Sequence, residues 1–185
     1  MAAVFWFGII AAIGGTWVIF VRNRLVRLRV LAEESWHDID TQLKRRWDLI
    51  PGLVEVAKGY AVHEAAVFER ITEARSRALA ASGPQDQATA EDGLKNALFS
   101  LFALAEDYPD LLANETFLGI QASLVEAENA LQKARRYYNA VVRELNTAVM
   151  SFPRNILAAV FRVRPREYFM LLEEQVREAL KLEMR

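Results

Sequence analysis

The chain has 185 residues, no cysteine and a nearly balanced charge, with 23 lysines and arginines against 24 aspartates and glutamates. This composition excludes a disulfide framework and thiolate metal sites. The net charge of −1 provides no general attraction to nucleic acid, so we expect no nucleic-acid partner. The length suffices for one domain beside a membrane anchor.

Residues 2–21 read AAVFWFGIIAAIGGTWVIFV and contain no charged side chain. A helix of this length measures roughly 30 Å, which matches the hydrocarbon core of a bilayer. Trp6 and Trp17 stand toward its two ends, as interfacial aromatic residues do. A cleaved signal peptide is disfavoured, because no basic region precedes the segment and no small-x-small site follows it. Residues 1–21 are therefore predicted to be an uncleaved transmembrane anchor.

Four arginines follow the anchor directly, namely Arg22, Arg24, Arg27 and Arg29. The positive-inside rule places this side of the membrane in the cytoplasm, so we predict a single-pass protein whose N-terminus is outside. Gly8, Ala12 and the Gly14–Gly15 pair would allow two anchors to pack together, although such residues are common in membrane helices. The oligomeric state is left open.

The rest of the chain has apolar residues spaced three or four apart, which predicts an all-α fold without strands. Stripes at 25–47, 53–78, 94–108 and 117–152 predict an antiparallel up-and-down four-helix bundle over residues 22–152. The fourth stripe keeps the seven-residue repeat of a coiled coil, which predicts one helix over 111–151. Residues 153–185 are predicted to be a separate amphipathic C-terminal segment, in which 167–185 would form a helix rich in charge pairs.

Two connections between these helices are predicted from local signals. Residues 80–93, AASGPQDQATAEDG, are rich in small and turn-forming residues and predict a loop. A turn is predicted at 46–50, where Asp48 would cap a helix that has Pro51 in its first turn. The alternative is one kinked helix that continues through Pro51.

A basic triplet, Lys44–Arg46, precedes the predicted turn, and an acidic bend, EDYPDL, occupies residues 106–111. In the predicted bundle both lie at the end far from the membrane, so the triplet would face Glu106, Asp107 and Asp110. Exposed ion pairs of this kind contribute about 0–1 kcal/mol each and would mainly set the helix register. The alternative is a partner-docking surface, which would comprise Lys44, Arg45, Arg46, Asp48, Glu106, Asp107, Tyr108, Pro109 and Asp110.

Residues 152–166 combine apolar side chains with arginines and contain no acid. This pattern suits an anionic headgroup region beside the anchor, and packing on the base of the bundle is the equal alternative. The candidate membrane-surface residues are Arg22, Arg24, Arg27, Arg29, Ile156, Leu157, Phe161, Arg162 and Arg164.

Catalytic and metal-binding motifs are incomplete in this sequence. His63-Glu64 begins like a zinc-protease helix, but position 67, which should be a second histidine, is Val67. Glu34 and His37 have the spacing of a di-iron ligand pair, but the second such pair is missing. We therefore predict no catalytic residue, metal or cofactor, and a cryptic hydrolase is only a third hypothesis.

Three stretches resemble the LemA family of bacterial membrane proteins: residues 35–64, SWHDIDTQLKRRWDLIPGLVEVAKGYAVHE; residues 108–161, from YPDLLANETF to PRNILAAVF; and the closing REYF of residues 166–169. Pro51-Gly52-Leu53-Val54 departs from the family's usual Pro-Asn-Leu-Val. The resemblance implies a four-helix bundle on one anchor in the bacterial cytoplasmic (inner) membrane, without enzymatic activity. It also implies relatives among magnetosome-membrane proteins and partners such as envelope proteins with a TPM domain.

The functional prediction is a cytoplasm-facing, membrane-anchored scaffold or adaptor. The alternative is a lipid-interacting or membrane-remodelling protein that acts through residues 152–166.

Overall fold

The computed structural model describes residues 1–170, with side chains from Phe5 onward and at Met1. These residues form helices α1 (Ala2–Lys58), α2 (Ala65–Ala80), α3 (Pro84–Ala105), α4 (Pro109–Leu112), α5 (Glu115–Met150) and α6 (Arg154–Val160). The described part of the chain contains no strand, which confirms the all-α prediction. The tail helix predicted for 167–185 falls mostly outside the described residues, and residues 167–170 are not helical.

Helix α1 continues through Pro51 to Lys58, so the predicted turn at 46–50 and the cap at Asp48 are wrong. Proline has no N–H group and leaves the carbonyl four residues earlier without its helical donor. That carbonyl belongs to Trp47, and it accepts a hydrogen bond of 2.8 Å from Arg75 Nε on α2. The helix therefore crosses Pro51 because a neighbouring helix supplies the missing donor, and the one-helix alternative is correct.

Helix α3 begins inside the predicted loop, so the prediction for 80–93 is wrong from Pro84 onward. Gly83 has a φ of +85°, a left-handed conformation that glycine adopts without strain. Pro84 occupies the start of the helix, where its missing N–H costs nothing. The connection between α2 and α3 is therefore only residues 81–83. Gln87, Ala88 and Glu91 in the first turns of α3 are buried, as residues of a packed helix are.

The chain divides into two compact units, and the first comprises residues 1–37 and 136–167. It contains one helix, α1, that is long and apolar enough to cross a membrane. Between Phe5 and Phe20 the apolar side chains are largely exposed. Beyond them α1 buries one face, and α5 does so as well; the buried apolar residues are Val21, Leu25, Leu28, Ala32, Tyr138, Val141, Val142, Leu145 and Ala148.

The second unit comprises residues 38–135 and the described residues from Tyr168 onward. Its apolar core combines α1, α2, α3 and α5, and its most enclosed members include Ile50, Leu53, Ile71, Leu94, Leu101, Leu111 and Phe117. Asn114 begins α5, where its Oδ1 accepts a hydrogen bond from the Phe117 N–H at 2.9 Å. The up-and-down bundle, its coiled-coil character and the domain boundaries at 22–152 and 153–185 stay predictions.

Candidate functional site

The basic triplet stands within α1, where its three side chains have different surroundings in the second unit. Lys44 is exposed, and Arg45 forms an exposed ion pair with Glu126 at 2.8 Å. The Arg46 side chain is only 7% exposed and lies 2.7 Å from Glu91 and 3.3 Å from Glu128. The triplet is therefore one buried cation beside two exposed ones.

Arg46 belongs to a buried polar cluster, which we define as Arg46, Trp47, Gln87 and Glu91. The Glu91 carboxylate accepts hydrogen bonds from Arg46 Nη1 at 2.7 Å, Trp47 Nε1 at 2.9 Å and Gln87 Nε2 at 3.1 Å. Gln87 Nε2 also donates to the Ala78 carbonyl on α2 at 3.2 Å. Burial raises the pKa of Glu91, whereas Arg46, Trp47 and Gln87 oppose that rise. A carboxylate with three donors is suited to joining α1 and α3.

Sequence reasoning missed Gln87 and Glu91 because both fall in the segment predicted as a loop. A usable signal was present: Pro84 and Asp86 suit a first helical turn, and Gln87 and Glu91 are four residues apart.

The acidic bend does not face the basic triplet, so that prediction is wrong. Tyr60 Oη accepts a hydrogen bond of 3.0 Å from Asn114 Nδ2, which places the connection before α5 beside the end of α1. Arg46 lies 12 residues before the end of α1 at Lys58, roughly 18 Å along the helix, and approaches the α2–α3 connection. Within residues 1–170, Glu106, Asp107 and Asp110 are exposed and form no ion pair with the triplet.

The two other residues of the predicted docking surface on this bend are Tyr108 and Pro109. Tyr108 is half-buried against the core of the second unit, and Pro109 is exposed at the start of α4. Asp48 is also exposed, on α1. The structure thus divides the predicted docking surface between two regions of the second unit, and a docking role for either stays a prediction.

In the first unit, an extended segment that follows α6 is held against the helices. Asn146 pairs with the Arg166 backbone twice, since its Nδ2 donates to the carbonyl at 2.9 Å and its Oδ1 accepts from the N–H at 2.8 Å. Tyr138 Oη donates to the Glu167 carbonyl at 2.9 Å, and its ring lies 5.3 Å from that of Trp36. The backbones of Arg166 and Glu167, the first two residues of the REYF stretch, are thus hydrogen-bonded to side chains of α5.

Glu33 connects this extended segment to α1 through ion pairs with Arg29 and Arg166. The hydrogen bond from Arg29 has the largest effect on the pKa of Glu33 and lowers it; burial raises this pKa, and the charge of Arg166 lowers it further, so that the pKa is lowered overall. Burial raises the pKa of Tyr138.

The candidate membrane-surface residues are partly brought together. The Arg22 guanidinium lies 5.8 Å from the centre of the Phe161 ring, a cation–π geometry. Arg24 pairs with Glu144 and Arg29 with Glu33, whereas Arg27, Arg162 and Arg164 are exposed. Ile156 is exposed and Leu157 half-buried. The structure therefore ties the end of α6 to the first residue after the apolar stretch of α1.

Comparison with known proteins provides the family. A family model described as the LemA family matches residues 35–183, which is more than half of the chain and includes the buried polar cluster and the REYF stretch. The chain belongs to the LemA family. This confirms the resemblance of its sequence motifs, including the closing Arg166–Phe169.

Curated relatives of this LemA-family protein include three magnetosome proteins. MamQ 1 and MamQ 2 of Paramagnetospirillum magneticum are each 26% identical over 173 residues, and MamQ of Magnetospirillum gryphiswaldense is 24% identical. Each match covers 80% of this chain and 64% of the relative, so the chain spans less than two thirds of their length. Protein LemA of Metamycoplasma hominis is 24% identical over 155 residues, which cover 80% of this chain and 69% of that protein.

Proposed function

We propose that this LemA-family protein is a membrane-anchored, non-enzymatic helical scaffold of the bacterial cytoplasmic membrane, with its N-terminus outside and its helical domain in the cytoplasm. The observation that carries the proposal is the continuity of α1. One helix contains the exposed apolar stretch and, without a linker, the buried residues Ile50 and Leu53. Exposed apolar side chains over such a length suit lipid.

The absence of cysteine makes the orientation directly testable, because single-cysteine variants have no background. Ala2→Cys reports the N-terminus, and Ser82→Cys reports the exposed connection between α2 and α3. A membrane-impermeant maleimide should label Ala2→Cys in intact spheroplasts and Ser82→Cys only after permeabilisation. Labelling of Ser82→Cys in intact spheroplasts would overturn the proposed orientation, and detergent-solubilised samples of both variants control for reactivity.

A scaffold requires a protein partner, and we expect this partner to be a membrane or envelope protein. Lys44 and Asp48 on α1 and Glu106, Asp107 and Asp110 on the acidic bend are exposed. Lys44→Glu tests the α1 surface of Lys44 and Asp48 without breaking a contact, because no described residue forms an ion pair with Lys44. Arg46→Glu would instead break the buried polar cluster.

Photo-crosslinking in cells, with the crosslinker at Asp107 or at Asp48, provides the readout for this partner. We expect crosslinked membrane or envelope proteins that diminish on charge reversal of the same surface. Lys95→Glu, an exposed lysine on α3, is the matched control. Crosslinks from position 48 that are unchanged by Lys44→Glu, and crosslinks from position 107 that are unchanged by reversal of Glu106 and Asp110, would count against docking at both surfaces.

A second candidate function is a lipid-interacting or membrane-remodelling protein. The observation that favours it is a row of exposed apolar side chains on and beside α6, close to the apolar stretch of α1.

A further inference from the structure

In the first unit, α5 approaches the apolar stretch of α1 as it ends. Arg24 lies 2.8 Å from Glu144, and the rings of Trp36 and Tyr138 are 5.3 Å apart, so the two helices are antiparallel. From Glu144 to the end of α5 at Met150 is six residues, roughly 9 Å of helix. The end of α5 therefore reaches the level of the last apolar turn before Arg22.

The chain that follows this point presents apolar side chains to solvent. Ile156 and Val160 are 56% and 68% exposed, and their spacing of four residues places them on one side of α6. Phe152, two residues before α6, is 80% exposed. Ala158, by contrast, is buried. Phe152 closes the apolar stripe predicted for the fourth helix, but it lies beyond Met150 and does not join the core.

Positive charges accompany this row, and residues 152–166 contain no acid. Arg162 and Arg164 are exposed directly after α6, and Arg22 lies against Phe161. An apolar face with flanking arginines at the level where a span leaves the membrane is complementary to an anionic lipid surface.

We propose that α6 lies in the headgroup region of the leaflet into which Arg22 emerges. Phe152, Ile156 and Val160 insert among the acyl chains, and Arg162 and Arg164 bind anionic headgroups. The inference rests on the membrane anchorage proposed above and adds a second point of lipid contact to it.

The test uses the full chain reconstituted in liposomes, with the environment-sensitive fluorophore NBD at one cysteine. Ile156→Cys reports α6, Ile10→Cys reports the anchor, and Ser82→Cys is the exposed control in the second unit. In liposomes with phosphatidylglycerol, the label at position 156 should emit at shorter wavelength than the label at position 82. A lipid spin-labelled near the headgroup should quench it, while the label at position 82 stays unquenched.

The arginines are tested in the same assay. Replacing Arg162 and Arg164 by glutamine should remove most of the quenching at position 156, whereas Lys95→Gln with Lys133→Gln, which removes the same charge from exposed sites on α3 and α5, should not. Equal quenching in pure phosphatidylcholine would overturn the role given to anionic headgroups.

The label in the anchor separates failure of this inference from failure of the proposed anchorage. Quenching at position 10 by a lipid spin-labelled deep in its acyl chain, without quenching at position 156 by the headgroup-labelled lipid, would overturn the α6 contact alone. A blue-shifted but unquenched label at position 156 would show that protein, such as a second copy of the chain, covers the row, and would also overturn it. Absence of quenching at position 10 by a lipid spin-labelled deep in its acyl chain would overturn both proposals.

Discussion

Arg46 shows how little the charge of a residue says about its role when its neighbours in sequence are also cationic. Its guanidinium is buried against Glu91, while the ammonium group of Lys44, two residues earlier, is exposed. Removing one partner of a buried ion pair leaves the other charge desolvated, which costs about 3–5 kcal/mol. An exposed lysine without an ion pair contributes little.

We therefore expect Arg46→Ala to lower the free energy of unfolding by about 3–5 kcal/mol and Lys44→Ala to change it by less than about 0.5 kcal/mol. Chemical denaturation of the full chain in mild detergent, followed by tryptophan fluorescence, measures both. Replacing the pair together by uncharged residues, as Arg46→Met with Glu91→Gln, should recover part of the loss, because the glutamine oxygen can still accept from Trp47 and Gln87. Equal effects of the Arg46 and Lys44 substitutions would contradict the buried ion pair.

Glu33 should make the folding stability depend on pH, and the sign of this dependence follows from its lowered pKa. Arg29 and Arg166 favour the charged carboxylate in the folded protein, so its contribution to stability is present above the unfolded pKa and is lost as pH falls through the folded pKa. The melting temperature of the wild type should exceed that of Glu33→Gln at pH 7, and the difference should vanish in acid. Glu55→Gln, at an exposed glutamate on α1, is the matched control for the loss of one carboxylate.

At the scale of the element, α1 depends on a side chain from another helix. A proline within a helix costs about 3 kcal/mol relative to alanine, partly through the carbonyl that loses its donor. Arg75 compensates by donating to the Trp47 carbonyl at 2.8 Å. This hydrogen bond therefore couples the stability of α1 at Pro51 to the presence of Arg75 on α2.

This coupling predicts a non-additive pair of substitutions. Arg75→Ala should lower the free energy of unfolding by about 1–3 kcal/mol, because a part-buried carbonyl loses its donor. The loss should be smaller in a Pro51→Ala background, since the restored N–H at position 51 can donate to the same carbonyl. A double-mutant cycle by chemical denaturation measures the difference. Arg70→Ala, whose side chain bonds to its own helix, is the control, and strict additivity would contradict the coupling.

At the scale of the whole molecule, the orientation proposed above depends on the four arginines after the apolar stretch. Replacing Arg22, Arg24, Arg27 and Arg29 by glutamine and adding lysines before the stretch should invert a share of the molecules, because nearby positive charge sets orientation. Maleimide labelling of Ser82→Cys in intact spheroplasts measures that share. Glutamine at the four arginines between 154 and 166, which are remote in sequence from the stretch, should leave the orientation unchanged.

The amino-acid sequence was enough to predict the helical class, the apolar stretch, most of the buried stripes and the family, because each of these depends on local periodicity or on short motifs. It predicted the buried face of α5 well, including Leu124, Leu131 and Leu145. It also grouped Arg22 with Phe161, and the Arg22 guanidinium lies 5.8 Å from the centre of the Phe161 ring. The membrane-surface role of these residues stays a prediction.

Contacts between helices, by contrast, determine where α1 ends, where α3 begins and which cation of the triplet is buried. Pro51 is a stop signal unless Arg75, 24 positions later, supplies a donor. The polar run after Pro84 is a loop signal unless Arg46 and Trp47 satisfy Glu91. In both places a distant side chain completes a hydrogen bond that the local chain lacks, and that partner is not visible in any short window of sequence.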